Sequence, residues 1–242
     1  MGKKIRLIKA LKNQMLYSLP SAAVLGDKFV DGVDWPADKA ALVFTFPEKE
    51  AGSGKPVRDM VSRKKYVCCL TYMAGKRTVP AGRTGDGSFG LTLETFKNSA
   101  EHRRAERASY RKYFLKPFGD YLTPAFEAGA KEYFRNELPK AKGISVRKNG
   151  KIVSMLTLLE IGGKSLRDRL SWVTWLWADP GRPKAERRVI HALLRGWLRE
   201  NSGKYIGASV HAANLKSQNW FLRSGFRPAR ISFTRRAGQV PE

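Results

Sequence analysis

The stretch SVHAANLKSQNWFLRSGF, residues 209–226, opens as the end of a strand and closes on a glycine stop. Asn214 stands where a helix cap accepts hydrogen bonds from free backbone N–H groups, and Gly225 stands where a left-handed residue ends a helix. Upstream, KYIGASV (204–210) reads as a strand. Before it, PKAERRVIHALLRGWLREN places Val189, Ile190, Leu193, Leu194, Trp197 and Leu198 on one helical stripe, with Pro183 near its first turn and Gly203 beyond its end. LSWVTWLWADP (170–180) is almost continuously apolar, as a central buried strand should be.

Working outward, ISVRKNGKIVSMLTLLEI (144–161) is a hairpin, because Asn-Gly separates two apolar runs. NSAEHRRAERASYRKYFLKPF predicts a basic-faced helix starting at an Asn or Ser cap, and TPAFEAGAKEYFRNELPKAKG a second one closed by Pro139 and Gly143. SFGLTLETF reads as a strand, as do ALVFTF (41–46), KYVCCLTYM (65–73) and FRPARISFTRR, the last as one or two strands. At the N-terminus, Ile5, Ile8, Leu11, Met15, Leu16 and Leu19 recur at helical spacing with Lys9 and Lys12 between them, predicting an amphipathic helix packed on the domain. The order from residue 88 is strand, helix, helix, hairpin, strand, helix, strand, helix, strand: an α/β layer around a mixed sheet. Residues 1–87 form an N-terminal extension, either sheet-extending or a substrate-recognition cap, and 88–242 the main domain.

The 242 residues carry 46 Lys+Arg against 21 Asp+Glu, a net charge of +25 spread along the chain rather than gathered in a tail. Such a field raises encounter rates with polyanions and neutralises phosphates, so nucleic acid, DNA or RNA, is the expected partner. Coenzyme A, with about four negative charges, does not account for it alone. Cys68 and Cys69 are adjacent, which suits two free thiols in a reducing cytoplasm. The N-terminus lacks the long uncharged core of a signal peptide or membrane span. His102, His191 and His211 offer no metal-ligand spacing with those cysteines, so no metal site is predicted. GDGSFG (85–90) matches G-x-G-x-x-G in letters only, since the β-like LTLETF follows it where a helix N-terminus is needed. GSGKP (52–56) fails as a phosphate loop because Pro56 replaces the required Ser or Thr.

The element order together with Asn214, Ser217, Gly225 and Phe226 resembles the GNAT superfamily of acyl-CoA N-acyltransferases, strongly over 170–233. The resemblance implies a splayed mixed sheet flanked by helices, acetyl-CoA or a related acyl-CoA as donor, and an amine as acceptor. It implies a donor lying along Leu176, Trp177, Ala178 and the 181–188 loop, backbone N–H groups near Trp177 on the thioester carbonyl, and Asn214 on the pantetheine or acceptor side. Two departures stand out. The loop glycines expected to cradle the pyrophosphate fall on Arg188 and Ile190, so Arg182, Lys184, Arg187 and Arg188 would grip phosphate by charge instead. Phe221 occupies the place of a tyrosine that protonates the leaving thiolate, a contribution worth roughly 10²–10⁴-fold in rate.

Asp179 and His211 end two strands that part in a GNAT-like sheet, and a histidine held by a carboxylate is a proton acceptor near neutral pH. For Asp179 a turn role before Pro180 is the competing reading. Trp172, Trp175 and Trp177 read as core, with base stacking as the alternative. A shorter likeness, PKAERRVIHALLRGWL, is to phage Mom-type adenine-modifying proteins, which are GNAT-like and basic. On that reading Arg103, Arg104, Arg107 and Arg111 on one helix, with Arg227, Arg230, Arg235 and Arg236 at the tail, track phosphates. A third reading keeps the fold as a non-catalytic nucleic-acid-binding module.

Overall fold

A computed structural model of the chain describes residues 6–10, 14–18, 41–45, 66–82, 89–118, 124–162 and 170–235. The chain forms two compact units. One comprises Met1–Met73, Asp120–Glu127 and Ser209–Glu242; the other comprises Ala74–Gly119 and Ala128–Ala208.

In the first unit, β1 (Arg6–Ala10), β2 (Gln14–Ser18), β3 (Ala41–Thr45), β10 (Arg227–Arg235) and β4 (Tyr66–Gly75, up to Met73) lie in the order β1-β2-β3-β10-β4. β2 and β3 run parallel and the other pairs antiparallel. The opening segment is therefore a strand pair and not the helix its spacing predicts. Its apolar residues do not alternate, Met15, Leu16 and Tyr17 being consecutive in β2, so pairing and not pattern makes the strand. A lone short helix is marginal in water, whereas β2 paired on β3 satisfies its backbone along the whole strand.

The core of this unit is aromatic. Phe44 meets Phe233 edge-on at 5.9 Å between centroids, and Tyr72 stacks on Phe221 at 5.9 Å. Helix α4 (Leu215–Arg223) starts at Asn214, whose side chain accepts from the Ser217 N–H at 3.1 Å. It ends with Phe226 N–H donating to the Phe221 carbonyl and Gly225 N–H to the Leu222 carbonyl, with Gly225 at φ +82°. That paired bond pattern needs a left-handed residue and favours an apolar contact across the stop, here Phe226 against Phe221 at 4.9 Å.

The second unit carries β9 (Tyr205–His211, up to Ala208), β8 (Leu170–Ala178), β7 (Lys151–Ile161), β6 (Lys142–Lys148) and β5 (Leu91–Thr95), in the order β9-β8-β7-β6-β5. Only β8/β9 is parallel among these pairs. The β6/β7 hairpin turns on Asn149 and Gly150 at φ 49° and 75°, the double positive φ that its Asn-Gly demands. Gly143 lies in β6 and is not a helix stop. A Cβ there would stand 2.4 Å from the Leu156 carbonyl oxygen, so glycine is required by close strand contact.

Helix α1 (Ala100–Tyr110) begins at Ser99, which accepts from the His102 N–H, and continues through a wider turn, Arg111–Leu115. Helix α2 (Pro124–Glu132) likewise extends through Tyr133–Glu137. Helix α3 (Lys184–Asn201) follows Pro183 and buries Ile190, Leu194 and Leu198 completely. Among the described residues, no helix is long and apolar enough to cross a membrane.

Candidate functional site

Strand β8 is irregular in the middle. Thr157 of β7 is in register with Trp175 and Leu158 with Val173, so Thr174 is one residue extra. This bulge turns the consecutive side chains of Thr174 and Trp175 to the same face. Thr174 meets Tyr133 there, and Trp175 meets Tyr110 and Phe114. Within this unit the parallel ladder with β9 runs from Leu170↔Tyr205 to Val173↔Ala208, and β8 continues to Ala178 in register with β7. Asp179 N–H donates to the Val153 carbonyl at 2.9 Å. By the alternation of an antiparallel ladder, Trp177 then also faces β7, and Leu176 and Ala178 turn their N–H and C=O groups the other way.

Against this bulge lies a cluster that the sequence reading missed. His102, Glu106 and Ser109 are the buried residues of α1, spaced i, i+4, i+7 where an apolar stripe is usual. Glu106 is 0% exposed. One carboxylate oxygen accepts from the Tyr133 hydroxyl at 2.8 Å and the Thr157 hydroxyl at 3.5 Å; the other has no hydrogen-bond partner among the described residues. The Tyr133 oxygen also lies 3.1 Å from the Thr174 hydroxyl, from which it can accept, and Thr157 and Thr174 are 3.0 Å apart. Burial pushes the Glu106 carboxyl up to about 7, against the two hydroxyls that favour its ionised form. Burial, then the neighbouring Glu106 charge, push the Tyr133 hydroxyl upward. His102 is spent structurally, its ring between Ser99 at 2.8 Å and Ser145 at 3.1 Å, and burial lowers its pKa. The available signal was the helix lacking an apolar stripe: a polar residue on such a face reads as solvated unless its burial is known.

The predicted residues land as follows. Asp179 makes a turn: its carboxylate accepts from Gly181 N–H at 3.1 Å and from Tyr113 at 3.4 Å, and lies 3.6 Å from the Arg182 guanidinium. His211 ends β9 in the first unit, buried, with Nδ1 accepting from Ala213 N–H at 3.2 Å. Leu176, Trp177 and Ala178 are half-buried, with Trp177 stacked on Tyr113 at 6.0 Å. Arg182 is engaged by Asp179 and by Glu186, a buried carboxylate in the first turn of α3 that Lys148 also binds at 2.6 Å. Lys184 and Arg188 are exposed. Arg187 is half-buried, with a buried Nε that has no hydrogen-bond partner among the described residues.

Ile190 faces the core. Asn214 caps α4, and Phe221 is buried between Tyr72 and Phe226, whose packing accounts for an aromatic ring at that position. The hydroxyl of Tyr72, pushed up by burial, donates to Gln218 at 3.0 Å.

Arg104, Arg107 and Arg111 are exposed on the outer side of α1 and its continuation, whereas Arg103 is drawn back onto the Asn98 carbonyl at 2.8 Å. Arg227 and Arg230 are exposed on β10; Arg235 ends that strand, and Arg236 lies outside the described residues. Among the described residues, no three His, Cys, Asp or Glu side chains group as a metal site.

No family model matches the chain, and no curated protein matches it in sequence. Solved structures similar to it include a functionally unknown conserved protein from Staphylococcus epidermidis, at 9% identity over 97% of this chain and 95% of that one, with TM-score 0.51. A GCN5-related N-acetyltransferase from Kribbella flavida is similar at 12% identity over 82% and 70%, with TM-score 0.45. A tandem GNAT protein from the clavulanic acid biosynthesis pathway is similar at 14% identity over 84% and 66%, with TM-score 0.45. The order from β5 onward, strand, helices, hairpin, strand, long helix, parallel strand, short helix and strand, is the mixed α/β order that the sequence predicts.

Proposed function

We propose that the protein is a GNAT-like N-acyltransferase moving an acetyl or related acyl group from a coenzyme A thioester to an amine associated with a polyanion. The observation that carries this reading is β8 itself, whose far end pairs with β7 and turns the N–H groups of Leu176 and Ala178 away from it. A thioester carbonyl seated there would be polarised by fixed backbone donors. Lys184, Arg187 and Arg188 would hold the donor's phosphates, since Arg182 is occupied by two carboxylates. In the reaction the amine nitrogen bonds to the thioester carbon, the C–S bond breaks, and coenzyme A leaves as thiolate. The thiolate takes up the proton that the amine nitrogen loses, through water.

Isothermal calorimetry with acetyl-CoA tests the donor. Heat at sub-millimolar donor is expected, and none at millimolar donor overturns the reading in favour of a non-catalytic module. For the acceptor, the three exposed arginines of α1 at spacings of three and four favour a phosphate backbone nearby. DNA or RNA binding should then weaken steeply with salt, and a flat slope removes that partner. Those arginines equally favour the Mom-type reading, modification of a nucleic-acid base. Mass analysis of nucleosides from expressing cells decides between the two.

A further inference from the structure

Strand β5 stands last in the strand order, and among the described residues only β6 pairs with it. Phe96 N–H donates to the Gly143 carbonyl, so by the alternation of an antiparallel ladder Glu94 and Thr92 also aim their backbone groups at β6. Leu91, Leu93 and Thr95 therefore turn their N–H and C=O groups to the open side, where no described residue bonds to them. An unpaired ladder is a template for another chain, and edge strands are usually guarded by a lysine, a proline or a bulge. β5 has none of these: its sequence is LTLET, and its register with β6 is unbroken. Its single charge, Glu94, is neutralised by Arg147 of β6. In a chain of net charge +25, the stretch Phe89–Phe96 holds no Lys or Arg, so a second copy meets no cation there. Leu93 adds an apolar side chain that is 48% exposed.

We propose that β5 is the seam of a homodimer, in which two copies pair these strands antiparallel about a two-fold axis at Leu93. Each Leu93 then faces the other, Leu91 faces Thr95, and Thr92 faces Glu94. The outward groups of Leu91, Leu93 and Thr95 exchange backbone hydrogen bonds across the axis, and no like charges stand opposite. Moving the axis to Glu94 would set the two Glu94 carboxylates against each other, and moving it to Thr92 would carry Thr95 past the end of the facing strand. This self-matching favours a second copy over a strand of another protein. The contact is the same patch on both copies, so it closes at two. α1 packs on the face of β5 that carries Phe96, whose ring meets His102 at 5.2 Å. The axis of such a strand pair stands normal to the sheet, so both copies of α1 lie on one side. Arg104, Arg107 and Arg111 of each copy then double the basic surface offered to a polyanion. The dimer stands independently of the acyltransferase reading.

The test is sedimentation equilibrium of the full chain, freed of nucleic acid, for wild type and Leu93→Lys. Wild type should approach twice the mass of one chain as concentration rises. Association should strengthen with salt, which screens the repulsion between two basic copies. Leu93→Lys alters an exposed side chain, so it should keep the unfolding temperature of wild type and remain a monomer. Cysteine cross-linking reads the register. Oxidised Leu93→Cys should give an inter-chain disulfide, since Cα atoms of a bonded pair stand about 5.5 Å apart, within disulfide reach. Thr95→Cys alone should not cross-link, but should do so when mixed with Leu91→Cys; wild type, with Cys68 and Cys69, sets the background. A dimer that survives Leu93→Lys, or that cross-links through Thr95→Cys alone as readily as through Leu93→Cys, overturns the seam. A wild type that stays monomeric at every concentration also overturns it, and leaves the edge to a strand of another protein.

Discussion

Helices α1 and α3 belong to the same unit, yet beyond the first turn of α3, where Glu186 is buried in ion pairs, they bury opposite kinds of side chain. α3 fits the expected pattern, with Ile190, Leu194 and Leu198 each 0% exposed. α1 buries His102, Glu106 and Ser109, and makes up for their desolvation with hydrogen bonds to Ser145, Tyr133 and Trp175. The first is bound by area removed from water, which tolerates small shifts. The second is bound by geometry, and a lost partner leaves a buried polar group stranded. Residues that specify chemistry are more to be expected on the second kind of face.

The sharpest way to break this contrast is Leu194→Ala. Removing a fully buried leucine should cost about 2–5 kcal/mol in denaturant unfolding, and a loss under 1 kcal/mol would mean that α3 is not the apolar anchor. The pH dependence of stability comes next. Between the ordinary carboxyl value of 4.5 and about 7, the folded chain holds a Glu106 proton that the unfolded chain has released, so stability falls as pH rises through that window. His191, pushed down to about 4 by burial, opposes this trend below pH 6.5, so the comparison must be with Glu106→Gln. Relative to that variant, wild type should lose about 3 kcal/mol from pH 4 to pH 8, at roughly 1.4 kcal/mol per pKa unit. Parallel curves would show that Glu106 ionises normally.

A smaller effect sharpens the picture at the helix starts. Ser99→Ala should cost about 1 kcal/mol, because Ser99 caps α1 and also holds the His102 ring, which thermal unfolding can measure. The smallest effect is expected at Arg188→Ala, an exposed residue on α3. Stability should stay within about 0.5 kcal/mol, while acetyl-CoA binding weakens several-fold.

What could be read in advance follows the same division. The hairpin at Asn149-Gly150, the stripe of α3 and the capped, glycine-stopped α4 were legible because each is a local rule obeyed by local residues. The opening strands were not, since the stripe from Ile5 to Leu19 has helical spacing and pairing with the distant Ala41–Thr45 overrides it. Glu106 was hidden because it sits among arginines, where a carboxylate reads as a surface ion-pair partner. Only the assembled fold, bringing Tyr133 and Thr157 to it, reveals its burial. Asp179 was legible as a turn residue, a role the sequence offers beside catalysis, and its carboxylate accepts from Gly181 N–H in that turn.

The extra residue in β8 acts as a phase slip. Upstream of Thr174 the strand keeps one alternation of faces and downstream the other, so Trp172 and Trp175 cannot be assigned to sides by counting in twos. Any attempt to thread a distant homologue through this strand by hydrophobic alternation will be one residue out on one side of Thr174. An insertion or deletion there would exchange inward for outward side chains along half the strand while leaving its composition untouched.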